Sequence, residues 1–176
     1  MAKFQRYDDE FNTVVWEAVT LTLAKKAGIR VPRHRLVTIL GKPVLIISRF
    51  DRDAGDRIPF LSAMSMLGAH DNEQHSYLEM AYALAQNGAS PEEDIKELWR
   101  RIVFTIMVSN TDDHLRNHGF IYERHKGWRL SPAYDINPTP LEIGSHVLTT
   151  SIDFTDNTAS LETAMRVAKE FRLKKK

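Results

Sequence analysis

The chain has 176 residues, enough for one ordinary domain or a large piece of a longer protein, and its 43% hydrophobic and 27% charged residues are normal for a soluble globular chain. A net charge of +1 gives no face-wide excess of Lys and Arg, which argues against direct nucleic-acid binding. The absence of cysteine excludes disulfides, zinc–thiolate sites and thiol catalysis, and no apolar stretch nears the roughly 20 residues of a membrane span, so a cytoplasmic protein is expected.

Met1 to Phe4 has the look of a strand, and Gln5 to Glu10 of a polar loop. A helix is expected from Asn12, with Val15, Trp16, Val19, Leu23, Ala24 and Ala27 on its inner face, Glu17 and Lys25 off that face, and Gly28 closing it. The β-rich runs 35–40 and 44–50 predict a hairpin around Gly41-Lys42-Pro43. Beyond it Asp53-Ala54-Gly55-Asp56 is a loop, and the composition shifts from strands to helices. That shift divides the chain into a small β-containing part, 1–51, and a larger helical part, 52–176. In the second part, 60–68 predicts a short helix and 73–86 a longer one stopped by Asn87-Gly88.

The most regular amphipathic helix starts at Ser90-Pro91-Glu92-Glu93, a sequence that fits a capping box with proline at the first helical position. Ile95, Leu98, Trp99, Ile102, Val103, Ile106 and Met107 then recur at helical spacing. Two strands are expected at 119–122 and 128–130, then a Pro-rich segment over 137–140 and a β-like run over 146–152. A final helix from Ser160 should turn Leu161, Met165, Ala168 and Phe171 inward. The basic run Arg172-Leu173-Lys174-Lys175-Lys176 reads as a solvated tail.

The chemistry concentrates between these elements. Ser109-Asn110-Thr111-Asp112-Asp113-His114-Leu115-Arg116-Asn117-His118-Gly119 is a dense polar loop, and Leu130-Ser131-Pro132-Ala133-Tyr134-Asp135 ends a short apolar run in an acid. An aspartate, an asparagine five residues on and a second aspartate beyond a hairpin suit phosphoryl transfer: Asp112 to meet a hydroxyl, Asn117 and Asp135 to hold magnesium. Asp112 and Asp113 are adjacent, so one should face a cleft while the other caps backbone amides. The spacing equally fits a turn in which Asx side chains satisfy their own backbone. His114 and His118 could be metal ligands, but a hydrogen-bonding role suits an isolated loop pair better.

These two stretches resemble the signature motifs of HipA-type serine/threonine protein kinases, toxins of bacterial toxin–antitoxin pairs. Lys3-Phe4, Trp16-Glu17-Ala18, Ala27-Gly28-Ile29, Arg49-Phe50-Asp51-Arg52 and Leu98-Trp99-Arg100-Arg101 extend the resemblance over nearly the whole chain. It implies an α+β, protein-kinase-like fold with ATP and Mg2+ between a small and a large lobe. It further implies a catalytic role for Asp112, magnesium ligands at Asn117 and Asp135, and a phosphate-binding Lys3 with Glu17 as helix partner. Arg49, Phe50 and Asp51 would be the hinge offering backbone groups to adenine, with His114 and Arg116 in support. The implied partners are a protein substrate and a HipB-like helix–turn–helix antitoxin.

The chain departs from that pattern in having no Gly-x-Gly: its eight glycines are isolated, so the glycine-rich loop over the phosphates is missing. In the family that loop precedes the lysine strand and further helices follow the last one here, so the chain is expected to be truncated at both ends and weak or inactive as a kinase by itself, and a strand starting at Met1 to hold Lys3 poorly. The alternatives are a non-catalytic module that binds an antitoxin-like or N-terminal partner, and a metal-dependent phosphohydrolase.

Overall fold

The computed structural model describes residues 1–5, 11–139 and 146–173. Most of the stretch expected to be a polar loop over 5–10, Pro140 and the last three lysines lie outside the described residues.

Strand β1 (Ala2–Phe4) is followed by helix α1 (Thr13–Lys26), and then by β2 (His34–Ile39) and β3 (Lys42–Ile47), the expected hairpin. Leu40 and Gly41 both have positive φ at the turn, which suits a tight two-residue connection. The sheet order is β1-β3-β2, all antiparallel. A two-strand turn, β4 (Arg52–Asp53) and β5 (Asp56–Arg57), leads on to β6 (Phe60–Ser62), α2 (Ala63–Leu67), α3 (Tyr77–Asn87) and α4 (Pro91–Met107). After the polar loop come β7 (Gly119–Glu123), β8 (Gly127–Leu130) and the short α5 (Leu161–Arg166). The sheet β6-β7-β8 packs beside the helices.

Two apolar clusters organise these parts. One joins Tyr77, Met80 and Leu84 of α3, Ile95, Leu98 and Ile102 of α4, Phe120, Leu130, Ile152 and Phe171. The other joins Val14, Ala18, Leu21 and Ala24 of α1 with Leu45 and Ile47 of β3, and takes in Phe104, Ala133 and Ile136. The small sheet thus shares its core with α4 and with the segment leading to Asp135.

Several expectations are corrected. In α1 the buried face carries Val14, Glu17, Ala18, Thr20, Leu21 and Ala24, whereas Trp16, Val19 and Leu23 are 40–50% exposed. The helix is apolar on more than one side, and the contact with β3 together with the partners of Glu17 selects the side turned inward. Residues 60–62 form a strand, because they pair with Gly119–Ile121 far along the chain. Helix α3 begins at Tyr77 and not at Glu73, because Ser76 and Glu79 make the capping box there.

At α4, Pro91 occupies the first turn but Ser90 makes no side-chain cap, and Glu93 instead reaches Arg129 at 2.8 Å. Residues 146–152 form only single bridges, since their amides bond to Thr111, His75 and turn carbonyls of 156–157. Helix α5 buries Thr163 and Ala164 and leaves Leu161 and Met165 exposed.

Candidate active site

Lys3 stands at the centre of the site. Strand β1 holds it through the antiparallel pair Lys3–Leu45, and the Met1 amino group donates to Ile47 O at 2.9 Å. Its Nζ lies 2.7 Å from Glu17 Oε1 and 2.7 Å from Asp135 Oδ1. The expectation that Lys3 would be poorly held is therefore corrected. Glu17, expected off the inner face of α1, is 2% exposed beneath it. Burial works against the Lys3 charge, but its hydrogen bonds to Asp135 and Glu17 outweigh that and raise its pKa. Burial dominates at Glu17 and raises its pKa, with Lys3 only partly offsetting it.

Asp135 adopts a left-handed backbone with φ of 57°, a conformation uncommon for a residue with a side chain and frequent at functional positions. Its Oδ1 also accepts from Asn137 Nδ2 at 3.1 Å. The segment before it is fixed by Arg101, which donates to Ser131 O at 2.6 Å, and by Ala133 N donating to Arg30 O at 2.7 Å. Just after it, Thr20 of α1 donates to Ile136 O at 2.6 Å. Arg101, Glu97, Asp94, Arg30 and Arg129 form a charge network, with Asp94, Glu97 and Arg101 buried, that ties α4 to this segment and to β8.

Lys3 and Asp135 open into a cleft of 470 Å3 lined also by Arg49, Phe50, Asp51, Phe60, Arg116 and Tyr134. Phe50, Phe60 and Tyr134 form an aromatic group, with centroids 5.7–6.5 Å apart. A Cβ on Gly119 would come within 2.3 Å of the Phe60 ring, so the missing side chain lets that ring lie against β7. Arg49 grips Asp51 through two hydrogen bonds of 2.8 and 2.6 Å, and this contact holds the Asp51 carboxyl at about 2. Tyr134 OH donates to Arg116 O at 2.8 Å, while the exposed Arg116 guanidinium pairs with Asp71.

The polar loop places its two acids oppositely. Asp112 is exposed, and its carbonyl accepts from Asn117 Nδ2 at 3.1 Å. Asp113 is buried, but among the described residues it caps no backbone amide, contrary to expectation. Its Oδ2 instead accepts from Tyr77 OH and Thr105 Oγ1, with His118 alongside. His114 Nδ1 is buried with no hydrogen-bond partner among the described residues.

Direct contacts thus join Lys3, Glu17 and Asp135, and a second set joins Asp112 and Asn117. No direct contact links the two sets among the described residues, although Asn117 shares a 20 Å3 cavity with Tyr134, the neighbour of Asp135. Among the described residues no cluster of three His, Asp or Glu side chains has metal-holding geometry, so a zinc site at His114 and His118 gains no support. Sequence reasoning gave no role to Phe60, Tyr77, Thr105 or Tyr134. Only Tyr134 carried a signal, its place inside the second motif.

A magnesium ion would suit the donors present. Asn117 commits its amide nitrogen to the Asp112 carbonyl, and among the described residues its Oδ1 and Asp135 Oδ2 accept no hydrogen bond. Both are hard oxygen donors of the kind magnesium prefers.

The fold is α+β, with a lysine bridging a helix glutamate and a loop aspartate. The family model for the HipA-like C-terminal domain matches residues 1–176, and the chain belongs to that family. It is 30% identical over 151 residues to a provisionally named kinase of Haemophilus influenzae, covering 75% of this chain and 44% of that protein. It is 29% identical over 138 residues to a second such protein, Y4dM of Sinorhizobium fredii, covering 70% of this chain and 33% of the relative. The chain therefore spans less than half the length of these curated relatives.

Among solved structures, HipA from the Shewanella oneidensis MR-1 complex of HipA, HipB and operator DNA superposes with a TM-score of 0.80 at 20% identity. That match covers 98% of this chain and 46% of that one. The Helicobacter pylori proinflammatory kinase CtkA follows with a TM-score of 0.67 at 16% identity, covering 97% and 74%. At these identities the superpositions establish the fold, which is kinase-like. No helix among the described residues is long and apolar enough to cross a membrane.

Proposed function

We propose that this chain is the core of a HipA-like serine/threonine protein kinase that binds Mg·ATP and passes the γ-phosphate to a protein hydroxyl. The observation that carries this reading is the Lys3 ammonium, held 2.7 Å from both Glu17 and Asp135 at the edge of the 470 Å3 cleft. Glu17 aims Lys3 and Lys3 meets the nucleotide phosphates. Arg49, Phe50 and Asp51 line the adenine end, and Arg116 touches phosphate from the rim with His114 behind it.

Asp112 takes the proton of the attacking hydroxyl as its oxygen bonds to phosphorus and the bond to the ADP oxygen breaks. Asn117 and Asp135 would hold magnesium, which supplies positive charge against the phosphate oxygens. Residues 1–51 act as a small lobe and 52–176 as a large one. No Gly-x-Gly pair is present to cover the phosphates with preorganised backbone donors, so turnover by this chain alone is proposed to be low.

Calorimetric titration with Mg·ATP tests the reading. Binding heat that disappears in Asp135→Asn supports it; no heat with the unaltered chain overturns independent nucleotide binding.

A second reading rests on exposed apolar side chains of the small β-containing part. Val19 and Leu23 of α1 and Leu36 of β2 are exposed and line one groove, and exposed apolar surface of this kind can serve as an interaction site. A non-catalytic module binding a HipB-like helix–turn–helix protein or an N-terminal polypeptide would use it. A chain that is cleanly monomeric by size exclusion and retains no such partner in a pull-down counts against this reading.

A further inference from the structure

The loop that carries Asp112 and Asn117 is tied across its own width twice. The outer tie is Asn117 Nδ2 donating to Asp112 O at 3.1 Å. The inner tie joins the next residue on each side: His118 Nε2 lies 3.1 Å from Asp113 Oδ2. That contact lacks hydrogen-bond geometry, so it is a close approach rather than an aligned hydrogen bond.

Asp113 does more than meet His118. The same Oδ2 accepts a short hydrogen bond from Tyr77 OH of α3 and a 3.3 Å bond from Thr105 Oγ1 of α4. Its backbone carbonyl accepts from Thr150 Oγ1 at 2.6 Å. The Tyr77 and His118 rings meet edge to face with centroids 5.4 Å apart. One buried carboxylate therefore gathers α3, α4, the loop and the start of β7, and its own carbonyl adds the 146–152 segment. Burial works against the Asp113 charge, but His118, Tyr77 and Thr105 together lower its pKa and keep it ionised.

This position matters because of what flanks it. Asp113 is bonded to Asp112 and His118 to Asn117, so a change in the inner tie moves both outer side chains. Anchoring Asp113 inward also leaves its neighbour Asp112 at the surface. We propose that Asp113 is a positioning residue whose buried carboxylate, gripping His118, Tyr77 and Thr105, fixes the separation and aim of Asp112 and Asn117. The inference rests on the kinase reading of Asp112 and Asn117.

The test uses the whole chain as Asp113→Asn, His118→Gln and Tyr77→Phe. The first readout needs no nucleotide: amide hydrogen exchange at His114 and Asn117, whose N–H groups bond inside the loop, against Ile102 in the middle of α4. Asp113→Asn is expected to speed the two loop amides by about tenfold while Ile102 stays within about twofold. Tyr77→Phe, which deletes one donor and keeps the ring, should move the loop amides the same way by less.

The second readout is turnover of radiolabelled Mg·ATP, where kcat should fall roughly tenfold or more and KM for ATP should change by less than about threefold. Unchanged loop exchange, or Ile102 accelerating as much as the loop, overturns the proposal, the latter by showing a merely global structural role. If Asp113→Asn does not fold, the same criteria apply to Tyr77→Phe. Absence of Mg·ATP binding heat in the unaltered chain would count against the kinase reading, while the exchange result still decides whether Asp113 sets the loop.

Discussion

The Lys3 ammonium lies 2.7 Å from a carboxylate oxygen of Asp135, a residue 132 positions away along the chain. The same ammonium neutralises Glu17, which is buried. Replacing Lys3 by Met strands that carboxylate. We expect a loss of about 1–3 kcal/mol in chemical denaturation, below the range for a fully buried pair because the Lys3 side chain is 27% exposed. Adding Glu17→Gln should restore more than half of the loss. Burial already raises the Glu17 pKa, so the single-mutant deficit should shrink at acidic pH as Glu17 takes up its proton.

Asp112 is exposed and touches the rest of the site through its carbonyl. Asp112→Asn should therefore leave thermal stability within about 0.5 kcal/mol. Under the proposed function it lowers phosphoryl transfer by about a hundredfold or more, with the dissociation constant for Mg·ATP nearly unchanged. Parallel calorimetry and single-turnover measurements check both halves.

The inward face of α1 gives a sharp contrast. Leu21 is fully buried against β3, whereas Trp16 is half exposed. Leu21→Ala should cost about 2–5 kcal/mol. Trp16→Ala should cost about 0.5 kcal/mol or less. Urea denaturation of the two variants measures the difference, and a larger cost for Trp16→Ala than for Leu21→Ala would show that the other face is the buried one.

His75 sits before α3 with Nδ1 3.0 Å from Glu79 and Nε2 3.3 Å from Glu73. Burial opposes its charge, but the two carboxylates prevail and raise its pKa above the ordinary 6.5. A raised histidine pKa stabilises the fold fully below 6.5, and that contribution is lost as pH climbs through the raised value. Solvent screening keeps the effect below about 1 kcal/mol. The stability difference between the natural chain and His75→Asn should narrow between pH 6 and 8, and nuclear magnetic resonance should place the His75 titration above 6.5.

Much of this arrangement was legible in the sequence wherever the determining interaction is local. Gly41 announced the hairpin turn, Pro91 the start of α4, and the two runs 119–122 and 128–130 the β7–β8 pair. Residues 60–62 looked helical because their strand partner lies at 119–121, outside any local window. Apart from Ala24, helix α1 was assigned the wrong face because Val15, Val19 and Leu23 make as good a stripe as Val14, Ala18 and Leu21. Only the sheet and Lys3 distinguish them. The motif residues Asp112, Asn117 and Asp135 could be named in advance, but the hold of Tyr77 and Thr105 on Asp113 could not, since nothing in their sequence neighbourhoods points to the loop.

The left-handed backbone at Asp135 narrows the ways in which that position can vary. Such a conformation costs an ordinary side chain about 1–2 kcal/mol, and aspartate and asparagine less. Asparagine can therefore replace Asp135 with the chain path intact, and glycine fits the path even better. Alanine combines loss of the carboxylate with a backbone penalty, and valine would add the further strain of a branched Cβ. A lineage shedding the charge at this position would thus have two low-strain exits, and a mutational scan scored on stability should find tolerance ordered by φ.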